Sequence, residues 1–388
     1  MAWKTMDIHE QRVRFVVAAT QQARPFSALC AEFEISRPTG YLWLKRYREQ
    51  GVRGIAEQSR RPHRSPRRTG AALERLVVRV RQHHPDWGAR KLHVVLARDG
   101  VQVPAHTIHH ILLRHDLVLE EDRRTPAVQR FERAQPNELW QMDFKGPKGW
   151  PQEVGPLSVL DDHSRYLIAL AANGSTRGEP VREQLEEAFQ RCGVPEGMLL
   201  DHGTPWGSTQ SASGQTQVSL WLMRQGIRLH WCGIRHPQTQ GKVERFHGSL
   251  VRALLRRGAP KTETQAQAWL DAYRWEHNHV RPHEALGMRT PATVWRPSPR
   301  RYVPNPPRWE YPQGSWVLKV DCKGNVHIHG QKWRVGQALS GEWVQIQRTD
   351  ERMLVFYCTS MVRELDPGTQ RSTIVERWIP AAAPAAKV

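Results

Sequence analysis

The chain has 388 residues, of which 39% are hydrophobic, enough for several domains with cores of their own. Its 57 Lys and Arg residues exceed its 38 Asp and Glu residues and give a net charge of +19, which favours a polyanionic partner such as nucleic acid. No apolar run is long enough to cross a membrane, the first residues lack the apolar core of a signal peptide, and five scattered cysteines match neither a disulfide framework nor a zinc motif. We therefore expect a soluble protein of the reducing cytoplasm.

The first segment, residues 1–58, has the spacing of three short helices, at 7–20, 26–36 and 37–51. Short helices joined by tight turns predict a helix-turn-helix domain. The third helix would lie in a major groove, and its predicted DNA contacts are Tyr41, Lys45, Arg46 and Arg48.

An arginine-rich stretch follows at residues 59–69. It has prolines and no acidic residue, so it cannot form a core. We predict an extended arm on DNA phosphates or in a minor groove, although a solvated linker remains the alternative. The predicted DNA contacts of the arm are Arg60, Arg61, Arg64, Arg67 and Arg68.

Residues 70–118 repeat the helical pattern, with helices predicted at 70–84, 89–100 and 105–117, and indicate a second helix-turn-helix domain. Residues 119–135 would be a linker. Up to residue 135 the chain carries 25 basic and 14 acidic residues, whereas residues 136–295 carry 18 and 16. The basic N-terminal part is thus suited to binding a polyanion. The middle segment, whose charges nearly cancel, is suited to a different function.

The middle segment, residues 136–298, changes to an α/β pattern. Alternating or apolar strands are predicted at 137–144, 156–162, 165–172, 197–200 and 227–232, with helices at 178–191 and 240–257. This order predicts a mixed five-stranded sheet with helices packed on it.

Three carboxylates occupy suggestive places in this segment. Asp143 and Asp201 each close a predicted strand, and Glu244 lies one turn into the helix after the last strand. If the two strands are neighbours, the three side chains converge, and like charges in a cleft resist ionisation unless cations are present. Two Mg²⁺ or Mn²⁺ ions, about 3.5–4 Å apart, would remove that cost and catalyse in-line phosphoryl transfer.

The sequence around these carboxylates resembles a known family. WQMDF (140–144), LLDHGTPW (199–206) and HPQTQGKVERFHGSL (236–250) are similar to the three blocks of the DDE transposase and retroviral integrase superfamily. LDDHSRY (160–166) and residues 277–295 resemble further blocks of bacterial insertion-sequence transposases. The resemblance implies a ribonuclease-H-like integrase catalytic core in which Asp143, Asp201 and Glu244 are the catalytic metal ligands.

The chain departs from the family pattern in one interval. Asp201 and Glu244 are separated by 42 residues, more than is usual, and the polar stretch 207–217 is the natural place for an insertion. The residues beside Glu244 are predicted to contact DNA phosphates: Gln240, Lys242 and Arg245. Asp161 and Asp162 are interpreted as hairpin-turn residues, and His202, His236 and His247 as packing residues or DNA contacts.

The C-terminal segment is rich in short strands. Their spacing over residues 311–365 predicts a small SH3-like β-barrel, and residues 366–388 are predicted to be a disordered tail. Taken together, the sequence predicts a multidomain DNA transposase that binds the terminal inverted repeats of a mobile element, cleaves the ends and joins the 3′-hydroxyls to target DNA. It would act as a homo-oligomer in a synaptic complex with double-stranded DNA.

Two other classes of protein remain open from the sequence. One is a helix-turn-helix regulator that keeps an inactive integrase-like domain, and the other is a ribonuclease-H-like nuclease without strand transfer. An intact carboxylate trio argues against the first, and a strand-transfer assay separates the second.

Overall fold

The computed structural model describes residues 8–57, 69–118, 132–146, 150, 154–201, 203–208, 214–231 and 241–374. Residues 1–68 and 69–388 form two compact units. In the described ranges no helix is both long enough and apolar enough to cross a membrane. The predicted arm, Gln240, His202 and His236 lie outside the described residues.

The first unit is a three-helix bundle of α1 (Ile8–Gln21), α2 (Phe26–Glu32) and α3 (Arg37–Gln50). Helix α3 begins after Ser36, whose hydroxyl accepts a hydrogen bond from the Thr39 N–H, and ends at Gly51 with a positive φ. Gly40 lets α3 pack closely, because a Cβ atom there would come within 2.8 Å of Cys30 Sγ. The predicted helical N-terminal region is confirmed.

A second helical bundle opens the larger unit. It consists of α4 (Ala71–His83), α5 (Ala89–Arg98) and α6 (Ala105–Arg114). Apolar residues at helical spacing face inward and form one buried cluster that includes Val77, Trp87, Leu92, Ile108 and Ile111.

The middle of the chain is an α/β core. Its strands are β1 (Trp140–Phe144), β2 (Leu157–Asp161), β3 (Leu167–Ala171), β4 (Gly197–Leu200), the two-residue β5 (Gly207–Ser208) and β6 (Gly214–Gln215), and β7 (Arg228–Trp231). Its helices are α7 (Gly178–Cys192), α8 (Gln217–Arg224), α9 (Gly241–Arg257) and α10 (Glu263–His279). The main sheet has the order β3-β2-β1-β4-β7, with β1, β4 and β7 parallel and the β1–β2 and β2–β3 pairs antiparallel. The mixed five-stranded sheet is therefore confirmed.

Helices cover both faces of this sheet. Trp140 and Met142 of β1 pack in one buried cluster with residues of α7 and α8, while Leu160 and Leu167 pack in another with α9 and α10. Alternation along each strand separates the two faces, so residues two apart on β1 point to the same helical layer. The polar stretch after Asp201 contains the small β5–β6 hairpin, and its central residues, 209–213, lie outside the described residues.

The C-terminal strands form an open sheet, so the described residues do not show the predicted SH3-like β-barrel. They are β8 (Trp316–Lys319), β9 (Asn325–Ile328), β10 (Gln331–Arg334), β11 (Trp343–Arg348), β12 (Met353–Tyr357), β13 (Ser360–Asp366) and β14 (Arg371–Ile374). Five of them pair in the order β14-β13-β12-β11-β8, whereas β9 and β10 pair only with each other, so no described strand links the two edges.

The predicted tail also needs correction at its start, because β14 pairs antiparallel with β13 within residues 366–388. The turn between them is stabilised by Asp366, whose carboxylate accepts hydrogen bonds from the N–H groups of Gly368 and Thr369. This Asp-Pro-Gly-Thr turn favours a hairpin. Residues 375–388 lie outside the described part of the chain.

Candidate active site

Strand β1 places Asp143 on the sheet face that α9 covers. Phe144 and Met142 belong to the opposite, apolar cluster, so alternation directs Asp143 toward α9. The contact is visible in His247 of α9, whose Nδ1 lies 3.8 Å from Asp143 Oδ2. Asp143 is the penultimate residue of the strand, and its side chain is 22% exposed.

The strand register places Asp201 beside Asp143. In the parallel β1–β4 pair, Trp140 is opposite Met198 and Gln141 is opposite Leu199. Asp143 lies two residues beyond Gln141, and Asp201 lies two residues beyond Leu199. Because neighbouring strands are about 4.8 Å apart, the register brings both carboxylates to one edge of the sheet.

The residues after Asp201 fix its carboxylate. Its Oδ1 accepts hydrogen bonds from the Gly203 N–H at 3.0 Å and from Trp206 Nε1 at 2.5 Å. A Cβ atom at position 203 would come within 3.0 Å of Asp201 Oδ2, so the tight turn favours glycine. The buried Trp206 ring stacks on Phe144, with centroids 5.4 Å apart. This stacking links the two aspartate motifs through the opposite face of the sheet.

Helix α9 supplies the third carboxylate. Its buried residues, which include Val243, Phe246 and Leu250, hold one face of the helix on the sheet. Glu244 lies in the first turn and is exposed, yet its charge acts on Asp143. Partial burial raises the pKa of Glu244.

The electrostatics of Asp143 reflect this convergence. Burial raises the pKa of Asp143 to about 7, with repulsion from Asp201 and Glu244 adding to the effect and the Phe144 N–H opposing it. Carboxylate oxygens are the ligands that hard divalent cations prefer, so the donor chemistry fits Mg²⁺ or Mn²⁺. Within the described residues, no three His, Cys, Asp or Glu side chains lie close enough to hold one ion. Asp201 and Glu244 are thus near enough for their charges to act on Asp143, without the three carboxylates forming a closed cage.

Sequence reasoning missed the part that His247 plays here. Its Nε2 lies 3.0 Å from the hydroxyl of Ser158, and Ser158 is opposite Asp143 in the β1–β2 register. Burial, assisted by the nearby Lys145, lowers the pKa of His247 to about 4, so the ring is neutral at pH 7. Its place three residues after Glu244, on the same helical face, is the sequence signal that could have identified it.

Two of the predicted phosphate contacts lie on α9 in different environments. Arg245 is exposed. Lys242 is instead directed inward, with its Nζ 2.5 Å from Oδ2 of the fully buried Asp162. Burial lowers the pKa of Lys242 to about 8, although the Asp162 charge opposes the change. Asp161 accepts hydrogen bonds from the backbone and hydroxyl of Ser164, as expected for a hairpin turn.

The four predicted contacts on α3 lie on the first unit. Tyr41 is 58% exposed and stacks on Phe26, with ring centroids 4.3 Å apart. Lys45 is exposed and pairs with Glu49 at 3.8 Å. The Arg46 guanidinium lies over the Trp43 ring, and Arg48 lies in the last turn.

The core is a mixed five-stranded sheet flanked by helices, with Asp143 near the end of β1, Asp201 directly after β4 and Glu244 on the covering helix α9. Protein-family models show which class of domain this core is similar to. Models described as integrase core domain match residues 133–237 and 225–291. A helix-turn-helix domain model matches residues 11–63, and a homeodomain-like domain model matches residues 39–112. These matches support a member of the DDE transposase and integrase superfamily with helix-turn-helix domains in its N-terminal region.

Several relatives are encoded by mobile elements. A protein of insertion element IS407 from Burkholderia multivorans is 25% identical over 234 residues, which are 58% of this chain and 82% of that protein. A protein of insertion element IS476 from Xanthomonas euvesicatoria is 24% identical and covers 62% and 69% of the two chains. The transposase for transposon Tn552 from Staphylococcus aureus is 22% identical and covers 85% and 78%. These names support a transposase function in general terms.

Solved structures align loosely with the chain. A chain of the simian T-cell lymphotropic virus intasome in complex with PP2A regulatory subunit B56 gamma has a TM-score of 0.36 at 15% identity and covers 72% of this chain and 91% of that one. The HTLV-2 integrase catalytic core domain in complex with magnesium has a TM-score of 0.31 at 17% identity, with 42% and 97% covered.

Proposed function

We propose that this protein is a DNA transposase that cleaves the ends of an insertion sequence and joins their 3′-hydroxyls to target DNA. The observation that supports the proposal is the strand register that brings Asp143 and Asp201 to one edge of the sheet, with Glu244 near enough for its charge to act on Asp143. The transposase relatives support it.

Asp143 and Asp201 would hold divalent cations between them, and Glu244 would complete the ligand set. When bound, two such ions neutralise the carboxylates and stabilise the charge that develops on the oxygens of an in-line phosphoryl transfer. The chain's own contribution is to position the ligands: Trp206 and Gly203 fix Asp201, and His247 lies against Asp143. The apolar layer beneath β1 keeps the two strands in register.

The test is substitution that preserves side-chain size and removes charge. Asp143→Asn, Asp201→Asn and Glu244→Gln should each reduce cleavage and joining of end DNA below detection while leaving DNA binding intact, because a ligand charge is lost and the DNA-binding surface is not. Asp271→Asn, an exposed carboxylate of α10, is the matched control and should retain activity.

The outcomes separate the alternatives. Cleavage without joining of paired ends would identify a nuclease, and binding without any Mg²⁺-dependent chemistry in the wild type would identify a regulator. Full strand transfer by Glu244→Gln would move the third ligand elsewhere in the chain.

We further propose that α3 reads the terminal repeats through Tyr41, Lys45, Arg46 and Arg48, and that the Arg60–Arg68 arm contacts phosphates. Replacing the five arm arginines with Ala should flatten the salt dependence of binding by roughly 0.9 in log–log slope per lost contact. Arg46→Ala should alter base preference more, because base contacts specify sequence whereas phosphate contacts position the protein. Fluorescence anisotropy with repeat and scrambled duplexes across a salt series measures both effects.

The assembled enzyme would be a homo-oligomer that pairs two DNA ends, since joining needs both ends at one target. Analytical ultracentrifugation with and without end DNA tests this. A monomer on paired ends would contradict it.

A further inference from the structure

The first turn of α9 is held on the sheet by three buried polar side chains that lie outside the carboxylate trio. We call Gln141, Asp162 and Lys242 the anchor cluster. Gln141 and Asp162 are fully buried, and the Lys242 side chain is only 16% exposed. None of the three belongs to the proposed metal ligands, yet Lys242 precedes Glu244 by two residues and Gln141 precedes Asp143 by two.

Gln141 bridges the strand and the helix with both ends of its amide. Its Oε1 accepts a hydrogen bond from the Val243 N–H at 3.3 Å, and its Nε2 donates to Asp162 Oδ1 at 2.8 Å. The N–H groups of a helix's first turn have no partner within the helix, so a strand side chain supplies one here. Because Val243 adjoins Glu244, this bond fixes the backbone that carries the glutamate.

Lys242 and Asp162 add a second attachment. Lys242 Nζ lies 2.5 Å from Asp162 Oδ2 and donates to the Asp162 carbonyl at 3.0 Å. Asp162 Oδ2 also accepts a hydrogen bond from the Arg133 N–H. A buried ion pair resists separation, since removing one partner leaves the other charge desolvated. The Lys242 charge is therefore used inside the protein.

The two attachments have a simple geometric consequence. Gln141 and Asp143 share one face of β1, and Lys242, Val243 and Glu244 are consecutive on the first turn of α9. Gln141 of β1 thus contacts the first turn of α9, and Asp143 is the next residue on the same face of the strand. The Gln141 and Lys242 contacts therefore both hold the turn that carries Glu244.

We propose that the anchor cluster positions Glu244 for metal binding, and that Lys242 acts in this way rather than as a DNA contact. The proposal rests on the proposed function, since it assigns Glu244 as a ligand. Such supporting residues typically change metal affinity by about 10–100-fold when they are replaced.

The experiment compares two substitutions with matched controls in the full-length protein. Lys242→Met and Gln141→Leu keep side-chain volume and remove the anchoring bonds. Each should weaken Mn²⁺ binding, measured by isothermal titration calorimetry well below the unfolding temperature, by about 10-fold or more. The salt dependence of DNA binding should stay unchanged, and Lys242→Arg, which keeps the ion pair, should restore most of the Mn²⁺ affinity.

Arg257→Met is the control for general destabilisation. Arg257 is held by buried and half-buried carboxylates at the opposite end of the same helix. This variant should lose stability and keep its Mn²⁺ affinity. Equal loss of Mn²⁺ affinity in Arg257→Met would overturn the positioning role, because any destabilisation of α9 would then suffice.

A second result would also overturn the proposal: unchanged Mn²⁺ affinity in Lys242→Met together with a salt slope reduced by about 0.9, as expected for one lost phosphate contact. Failure of the proposed function gives a different result, because wild type and Glu244→Gln would then bind Mn²⁺ equally.

Discussion

The two ends of α9 differ in the charges that surround them: carboxylates lie near its first turn, whereas carboxylates and guanidiniums pair at its last turn. At its first turn, the Glu244 charge acts on Asp143, and burial together with repulsion from Asp201 and Glu244 raises the pKa of Asp143 to about 7. At its last turn, roughly 20 Å away, Arg257 contacts Asp86 of the second helical bundle. Burial by itself would raise the pKa of Asp86, but Arg281 and Arg257 outweigh it and lower that pKa to about 2.

The last-turn network is a balanced set of charges. Asp86 accepts hydrogen bonds from Arg257 and Arg281, each at 2.6 Å, and Glu276 contacts Arg257 at 2.6 Å. His84 Nδ1 lies 3.3 Å from Glu276. Two carboxylates meet two guanidiniums, so the second bundle is joined to α9 and α10 with its buried charges satisfied.

The difference distinguishes a charge network that joins parts of the fold from the proposed metal site. Where carboxylates meet guanidiniums, ionisation stabilises the fold. Where carboxylates meet one another, ionisation costs stability and the cluster is suited to cations that the chain does not supply. Each prediction below tests this contrast.

The largest expected effect comes from removing Asp86 from the charge network at the last turn of α9. Asp86→Ala should lower the free energy of unfolding by about 3–5 kcal/mol at pH 7, because two buried guanidiniums lose a partner. Since the folded pKa of Asp86 is depressed, the contribution of its charge is present above pH 4 and is lost as the pH falls toward 2, where the difference between the variant and the wild type should narrow. Denaturant titration measures this, and a loss no larger than that of the exposed Asp271→Ala would contradict the contrast.

Near the first turn of α9, removal of the Asp143 charge should raise the free energy of unfolding rather than lower it. A carboxyl whose pKa is about 7 when folded and 3.8 when unfolded costs the fold up to about 4 kcal/mol above pH 7. The cost is absent below pH 4 and grows as the pH rises to 7. Asp143→Asn should therefore be more stable than the wild type at pH 8 and equal to it at pH 4, measured without divalent ions. Equal stability of the wild type and Asp143→Asn at pH 8 would show that the ionised Asp143 side chain does not destabilise the fold.

Divalent ions should remove that cost by binding. At 100 times its dissociation constant, Mg²⁺ should stabilise the wild type by about 2.7 kcal/mol and Asp143→Asn far less. Differential scanning fluorimetry with Mg²⁺ and with an ionic-strength control of NaCl measures the difference. An equal rise in Tm for both proteins would mean that the ion binds elsewhere.

The smallest effect should come from an exposed pair. Arg14 and Glu10 of α1 are 2.8 Å apart, but each side chain is more than half exposed. Glu10→Gln should change the free energy of unfolding by only about 0.3–0.5 kcal/mol, and less in high salt, since water screens the pair. A loss similar to that of Asp86→Ala would mean that burial does not distinguish the two pairs.

The sequence predicted local features well because they depend on neighbours in the chain. Periodicity located the helices and strands, and apolar alternation placed Asp143 and Trp140 on opposite faces of β1. Local spacing could not reveal contacts with distant partners. Nothing within a few residues of Lys242 shows that its side chain pairs with the buried Asp162.

The same reason explains the errors in the C-terminal segment. The strands up to β12 were visible in the sequence, but a barrel or an open sheet is decided by which strands pair, and β9 pairs with β10 rather than with the sheet. The start of β14 was hidden by an Asp-Pro-Gly turn that can end a domain or close a hairpin equally well.

The sequence by itself determined the identity of the candidate ligands, the order of the elements that carry them and the basic character of the helical N-terminal region, because residue type and local spacing fix these. Only the tertiary structure decided that Asp143 and Asp201 share a register, that His247 lies against Asp143, and that the two ends of α9 hold opposite kinds of charge cluster. Those relations depend on contacts between residues far apart in the chain, and such contacts form only when burial of the two apolar layers brings the sheet and its helices together.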